Sequence, residues 1–174
     1  MAVTQQLARV SAEYLSACRQ SADESPDGDP QWDPPSADVL DLDWAPALLE
    51  RVSELASLDD VHHDAIRRAT EGDTAIDLGF LNTPPHDIGP FGPPATALST
   101  AQVASVSELL RQIDMETVLA DLPINDSEAA SLIGHGAEGI TGGPRKYLLK
   151  HFNALRAFYS EASQQRLLIV LWWD

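Results

Sequence analysis

The sequence predicts a single α+β domain, a mixed sheet with packed helices, and three observations carry that reading. Arg145 to Asp174 reads as an amphipathic helix feeding straight into a continuous apolar run. Short strand-like runs also open the chain and interrupt its middle, between longer segments of helical period. At 174 residues the chain can bury about 70% of the surface its unfolded form exposes, so one domain without a structural metal or disulfide is expected.

Taken in order, Val3 to Val10 is short and partly apolar and suits an opening strand, and Ser11 is placed to cap a helix through Arg19. Tyr14, Leu15 and Cys18 share one face of it. Ser21 to Asp43 holds five prolines and glycines and eight acids and reads as an acidic loop, anchored by Trp32. Trp44, Leu48, Val52 and Leu55 restore the helical spacing, with Pro46 in the first turn. A second helix from Leu58 to Thr70 is closed by Gly72.

Gly79 to Pro94 carries five prolines and is expected to be a long surface loop. Beyond it, Thr96 to Leu98 suits a short strand. Ser99 or Thr100 then caps a helix bearing Val103, Val106, Leu109, Leu110 and Ile113. Two short helices follow, around Met115 to Leu122 and Ser127 to Ile133. In the closing unit Leu148, Phe152, Leu155, Tyr159 and Ala162 line one helix face, and Pro144 stands at the start, where its missing N–H costs nothing. Leu167 to Trp173 is too short for a bilayer, which takes roughly 20 residues, and suits a strand covered on both faces. Adjacent strand residues alternate, so Trp172 and Trp173 should give one core ring and one rim ring.

Several of these phrases resemble a known family. Asp41-Leu42-Asp43-Trp44 opening a helix, Ala97-Leu98-Ser99-Thr100-Ala101-Gln102-Val103 after the proline-rich segment, and Tyr147-Leu148 through His151-Phe152, Leu155 and Phe158-Tyr159 to Val170 are similar to the YfbM-like bacterial domains of unknown function. The resemblance spans nearly the whole chain and implies an α+β fold; it brings no catalytic motif.

Charge narrows the functional classes. Eleven basic residues against 27 acidic ones give a net charge of −16, which disfavours nucleic acid and anionic membrane as partners. The acids cluster. Asp23 to Asp64 holds 13 acids and one base, Arg51, a local net of −12, while Arg145 to Arg166 holds five bases and Glu161, a local net of +4. One account of this segregation is solubility with internal neutralisation between the two regions. The other is an acidic docking surface for a basic protein, with Asp27, Asp29, Asp38, Asp41 and Asp43 as its contacts. An intracellular inhibitor or immunity-type partner would carry such a surface. The amino terminus shows neither a basic start nor an apolar core of a secretory signal, and a cytoplasmic location is expected.

Chemistry is sparse. Asp59, Asp60, His62, His63 and Asp64 lack a convincing third metal ligand on one face, and neither a metal nor a cofactor is expected. His86, Asp87 and His135 are the candidates for acid–base work, in an alternative reading as a small-molecule enzyme or ligand binder with a pocket floored by the closing strand. The glycines from Gly134 to Gly143 before Arg145 and Lys146 lack the Gly-Lys-Ser/Thr of a phosphate loop and are read as a helix entry. Cys18 is read as a buried, inert thiol.

Overall fold

The computed structural model describes residues 3–174. The chain runs through β1 (Gln5–Val10), α1 (Ala12–Glu24), β2 (Val39–Asp43), α2 (Ala45–Leu55), α3 (Asp60–Glu71), β3 (Thr96–Leu98), α4 (Thr100–Gln112), α5 (Met115–Ala120), α6 (Asp126–Ile133), α7 (Pro144–Gln164) and β4 (Leu168–Trp173). The strands form one sheet in the order β2-β1-β4-β3.

β4 is interior. It pairs with β1 along its whole length, Gln5 opposite Trp173 through Val10 opposite Leu168, and with β3 on its other side. Its alternate residues feed two cores. Ile169 and Leu171 join the helical layer with Leu7, Leu42 and Leu98, while Leu168, Val170 and Trp172 join Ala8, Val10 and Leu15 on the opposite face. Trp172 is 8% exposed and Trp173 is half-buried, so the core ring and the rim ring fall as the alternation requires.

The sheet is antiparallel throughout, not mixed. α1 leaves from the end of β1 and finishes about 20 Å away. Residues 25–38 must then run back before β2 can begin, and Val39 pairs with Ala8 at the same end from which α1 departed. That return reverses β2 relative to β1. It also corrects the expectation of a loop from Ser21 to Asp43: Ser21 to Glu24 belong to α1, and Val39 to Asp43 form an edge strand. Trp32 does anchor the returning segment, edge-on to Tyr14 at 5.7 Å and to Trp172 at 5.9 Å between ring centres.

Local signals set the helix ends. Ser11, Asp59, Asp114 and Asn125 accept from backbone N–H groups of their first turns, and Ser99 with Gln102 makes a reciprocal capping box. α7 is the longest helix. It buries Leu148, Phe152, Leu155, Phe158, Tyr159 and Ala162 against α4, α2 and the sheet, while Lys146, Lys150, Asn153 and Gln164 face solvent.

The C-terminus of α3 is held in an unusual way. A helix leaves its last four carbonyls without intrahelical donors, and here each finds one. Gly72 N–H donates to the Arg68 carbonyl at 3.0 Å, with φ +70° that glycine adopts without strain. The Tyr159 hydroxyl of α7 donates to the Ala69 carbonyl at 2.9 Å, the Gln5 side-chain amide of β1 to Thr70, and the Thr96 hydroxyl of β3 to Glu71 at 2.7 Å. Three tertiary elements thus lock α3 over the end of the sheet.

Candidate functional site

Beside that locked helix end lies a cleft of about 380 Å³. Gln5, Leu171 and Trp173 lie along the sheet side; Pro46, Ala47 and Glu50 from the start of α2, and Thr70 and Glu71 from the end of α3, border it from the helical side; Pro93, Pro94 and Thr96 complete it. The proline-rich segment is held close because Gly89 and Gly92 lie directly against the end of β4: a Cβ on Gly92 would stand 2.5 Å from Trp173 Cβ.

The side-chain oxygens of this cleft are acceptors, and beside them the start of α2 carries no side-chain cap. Gln5 is 2% exposed, its amide nitrogen donates to the Thr70 carbonyl, and its Oε1 has no partner among the described residues. An unpaired buried acceptor costs about 1–3 kcal/mol, so its retention calls for a reason. The Thr96 hydroxyl is spent on the Glu71 carbonyl. Glu71 is exposed and paired with Arg67 at 3.3 Å; the half-buried Glu50 carboxylate has no ion-pair partner among the described residues. Among the described residues, no lysine, arginine or histidine lines the cleft.

The acidic residues singled out in the sequence divide into two groups. Asp41 and Asp43 lie on β2, next to the α2 start that borders the cleft, and Asp43 pairs with Gln5. Trp44, 53% exposed, follows them; its indole donates to the Val3 carbonyl at 3.2 Å and its N–H to the Tyr147 hydroxyl at 3.1 Å. Burial and the Asp43 and Asp41 carboxylates push the Tyr147 phenol up to about 12. His151 stacks against Tyr147 at 4.3 Å, and burial holds its imidazole below the ordinary value despite the same aspartates. Asp27 and Asp29 lie after α1, where Asp27 meets His86 Nε2 at 3.2 Å and accepts from Ser25, and Asp29 accepts from Gln31 N–H. Asp38 is tied to Arg9 at 2.8 Å, a base that also pairs with Glu161 and lies over the Phe158 ring.

The catalytic candidates do not converge. His86 and Asp87 sit between Leu81 and Ile88 on the α1 side of the sheet; His135 lies between Ile133 and Ala137 in the helical layer on the other side. Asp87 does border a shallow depression with Trp32, Trp172 and Asp174, but neither histidine does. Among the described residues, no three His, Cys, Asp or Glu side chains gather where they could hold a metal. Asp59 caps α3 and bonds His62 at 2.7 Å. At the glycine-rich entry to α7, the Asp126 carboxylate lies against Gly143 and Arg145 reaches the Leu122 carbonyl at 2.6 Å. An anion there would meet a carboxylate. Cys18 is buried, and burial pushes its thiol up, which suppresses the thiolate.

Sequence reasoning missed Gln5, Glu50 and Glu71 as partners in one cleft. One signal was available: Gln5 occupies the same strand parity as Leu7, a polar residue at an inward position.

Comparison with known proteins agrees with this architecture. No curated protein matches the chain. Among solved structures, the protein of unknown function YfbM from Escherichia coli superposes with a TM-score of 0.53 over 97% of both chains at 12% identity, a likeness of fold. The family model described as Domain of unknown function (DUF1877) matches residues 41–172, from the middle of β2 to the core ring of β4. By that match over most of its length, and with the fold of YfbM around it, the chain belongs to the DUF1877 family.

Proposed function

We propose that this protein is a non-enzymatic binding module that docks a basic protein partner, as an inhibitor or immunity-type protein does, through the acidic end of its sheet around Asp41, Asp43, Trp44 and the cleft. The observation that carries the reading is that the acidic and basic clusters do not neutralise each other by contact. Among the described residues, no ion pair links the acids of 23–64 to the bases of 145–166; Arg145 pairs with Asp126, and Lys146 and Lys150 pair with no carboxylate. Internal neutralisation by contact therefore does not account for the clustering. Asp38, Glu54 and Asp64 are paired with Arg9, Arg51 and Arg67, but Asp41 and Asp43 have no ion-pair partner among the described residues, and such a residual acidic field steers a basic partner and repels acidic competitors. Exposed Trp44 beside it supplies the aromatic surface on which interface hot spots are commonly built.

Asp27 and Asp29 extend the same field from the α1 side, whereas Asp38 serves Arg9 and is a poor contact. The test is a hydrogen-exchange footprint of a basic protein recovered from the native host and repurified. Slowed exchange over 39–47 and 70–72 is expected; a footprint on Leu119, Arg145 and Leu149, where α5 meets α7, would refute the assignment.

A further inference from the structure

We infer that the groove between α5 and α7 is the interface of a two-fold dimer of this chain, in which Ile124 of each copy seats in the groove of the other. The inference goes beyond the docking reading and does not depend on it.

The patch carries both halves of a self-complementary contact. Its hole is an open groove of about 440 Å³ lined by Glu116, Leu119, Ala120, Arg145, Lys146 and Leu149, with an almost wholly apolar surface. Long basic side chains lay their aliphatic stems along such a surface and keep their heads in water. Its knob is Ile124, 97% exposed on the connection between α5 and α6. Knob and hole are neighbours: Arg145, which lines the groove, donates to the Leu122 carbonyl at 2.6 Å and to the Ile124 carbonyl at 3.4 Å. At that exposure the isoleucine fills nothing in its own chain. One exposed apolar residue is ordinary, but a knob beside an unfilled apolar hole, rimmed by charges, is the composition of an interaction surface.

Charge selects a second copy as the occupant. Glu116 of α5 and Lys146 of α7 border the groove, both exposed, and neither has an ion-pair partner among the described residues. A two-fold axis sets residue i of one copy against j of the other, and j against i. Lys146 of each copy then meets Glu116 of the other, and two ion pairs flank two seated isoleucines. Each chain carries a net −16, yet the groove lining holds two bases and one acid, so two copies meet here without the repulsion their acidic regions impose. A groove-bound peptide would account for the hole alone; a second copy accounts for hole, knob and both charges.

The test is sedimentation equilibrium of the full chain from about 1 μM to about 500 μM, a range that spans roughly 8 to 4.5 kcal/mol of association, at about 0.15 M salt, where repulsion between the chains is screened over about 8 Å. The mass should rise from 18.9 kDa toward twice that value and no further, because a two-fold contact closes on itself. Ile124→Ser should weaken association at least about a hundredfold, since two side chains leave the interface together and each contributes about tenfold or more. It should fold and melt as the wild type does, because Ile124 packs against nothing in its own chain. Glu116→Lys and Lys146→Glu should each associate weakly alone and about tenfold more tightly when mixed in equal amounts, since only the mixed pair sets opposite charges together at both contacts. A mass of 18.9 kDa throughout, the result if the groove belongs to a different protein, overturns the proposal. Association unchanged by Ile124→Ser places the contact elsewhere and overturns it as well. Growth beyond the dimer refutes the two-fold arrangement, and a mixture no tighter than the single variants refutes the charge pairing on which the choice of a second copy rests.

Discussion

Replacing Tyr159 with phenylalanine removes one oxygen and exposes how much of this fold depends on locking α3 to α7. The hydroxyl is fully buried and donates to the Ala69 carbonyl at 2.9 Å; Ala69 itself is 0% exposed. Water cannot take over, and the next N–H along the chain that could, that of Asp73, is already given to Ala97 at 3.1 Å. The ring packing survives in Tyr159→Phe, so no sizeable cavity opens. The cost is the stranded acceptor, about 1–3 kcal/mol, or roughly a 4–8 °C fall in Tm for a 2 kcal/mol loss in a domain of this size. Thr96→Val is the matched control. It strands the Glu71 carbonyl, but Thr96 is half-buried and Glu71 exposed, so water can enter and the loss should stay below about 1 kcal/mol. Urea unfolding with unchanged slope, read beside thermal melts, gives both numbers. If Tyr159→Phe lies within about 0.5 kcal/mol of the wild type, the ordinary range of surface substitutions, or costs less than Thr96→Val, the locking argument is wrong.

Deleting Leu168 to Asp174 removes the strand that holds both β1 and β3, and no cooperative melt should remain; a truncated chain with a native-like transition would contradict the interior placement of β4. His62 and His151 should titrate on opposite sides of 6.5 by NMR. His62 is raised by its hydrogen bonds to Asp59 and Gln112, so its stabilisation is complete below about 6.5 and lost as pH climbs through the folded value. His151 is lowered by burial, so its contribution is present above 6.5 and lost as pH falls through its folded value. A His62 midpoint unmoved by Asp59→Asn, or a His151 midpoint above 6.5, would refute these assignments. Gly72→Ala should destabilise by more than about 1 kcal/mol, since φ is +70° and the new methyl would meet the Thr96 hydroxyl; a neutral substitution there would show that the α3 terminus can relax.

Elements whose signals are local were legible in the sequence. Ser11, Ser99, Gly72 and Pro144 mark helix ends because caps act within one turn, and the apolar run ending at Trp173 declared an interior strand. β2 was hidden by composition. Asp41 and Asp43 alternate with Leu40 and Leu42 in strand period, yet their acidity and the prolines before them read as loop. An edge strand tolerates such charges on its exposed face, and they block unwanted pairing there. The direction of β2 escaped as well, because it depends on the length of the return from α1. The cleft was the least legible part: residues 5, 46–50, 70–71, 93–96 and 171–173 come from five segments, and no short pattern marks them. His86 and His135 drew attention as reactive types in glycine- and proline-rich loops, but the sheet separates them.

The acidic sheet end is most directly tested by the association rate with the basic partner as ionic strength rises. Asp27, Asp29, Asp41 and Asp43 change together to asparagine, which keeps the side-chain oxygens that accept from Ser25, from Gln31 and from Asp43 N–H, and which tolerates φ +54° at residue 43. Asp38 stays, because Arg9 needs it. Between 0.01 M and 0.1 M salt the Debye length shrinks from about 30 Å to about 10 Å, and the wild-type rate should fall steeply. The variant should start slower at low salt and converge with the wild type at high salt. Equal rates at low salt, with the same salt slope, would show that these acids only keep the protein soluble and would contradict the docking function.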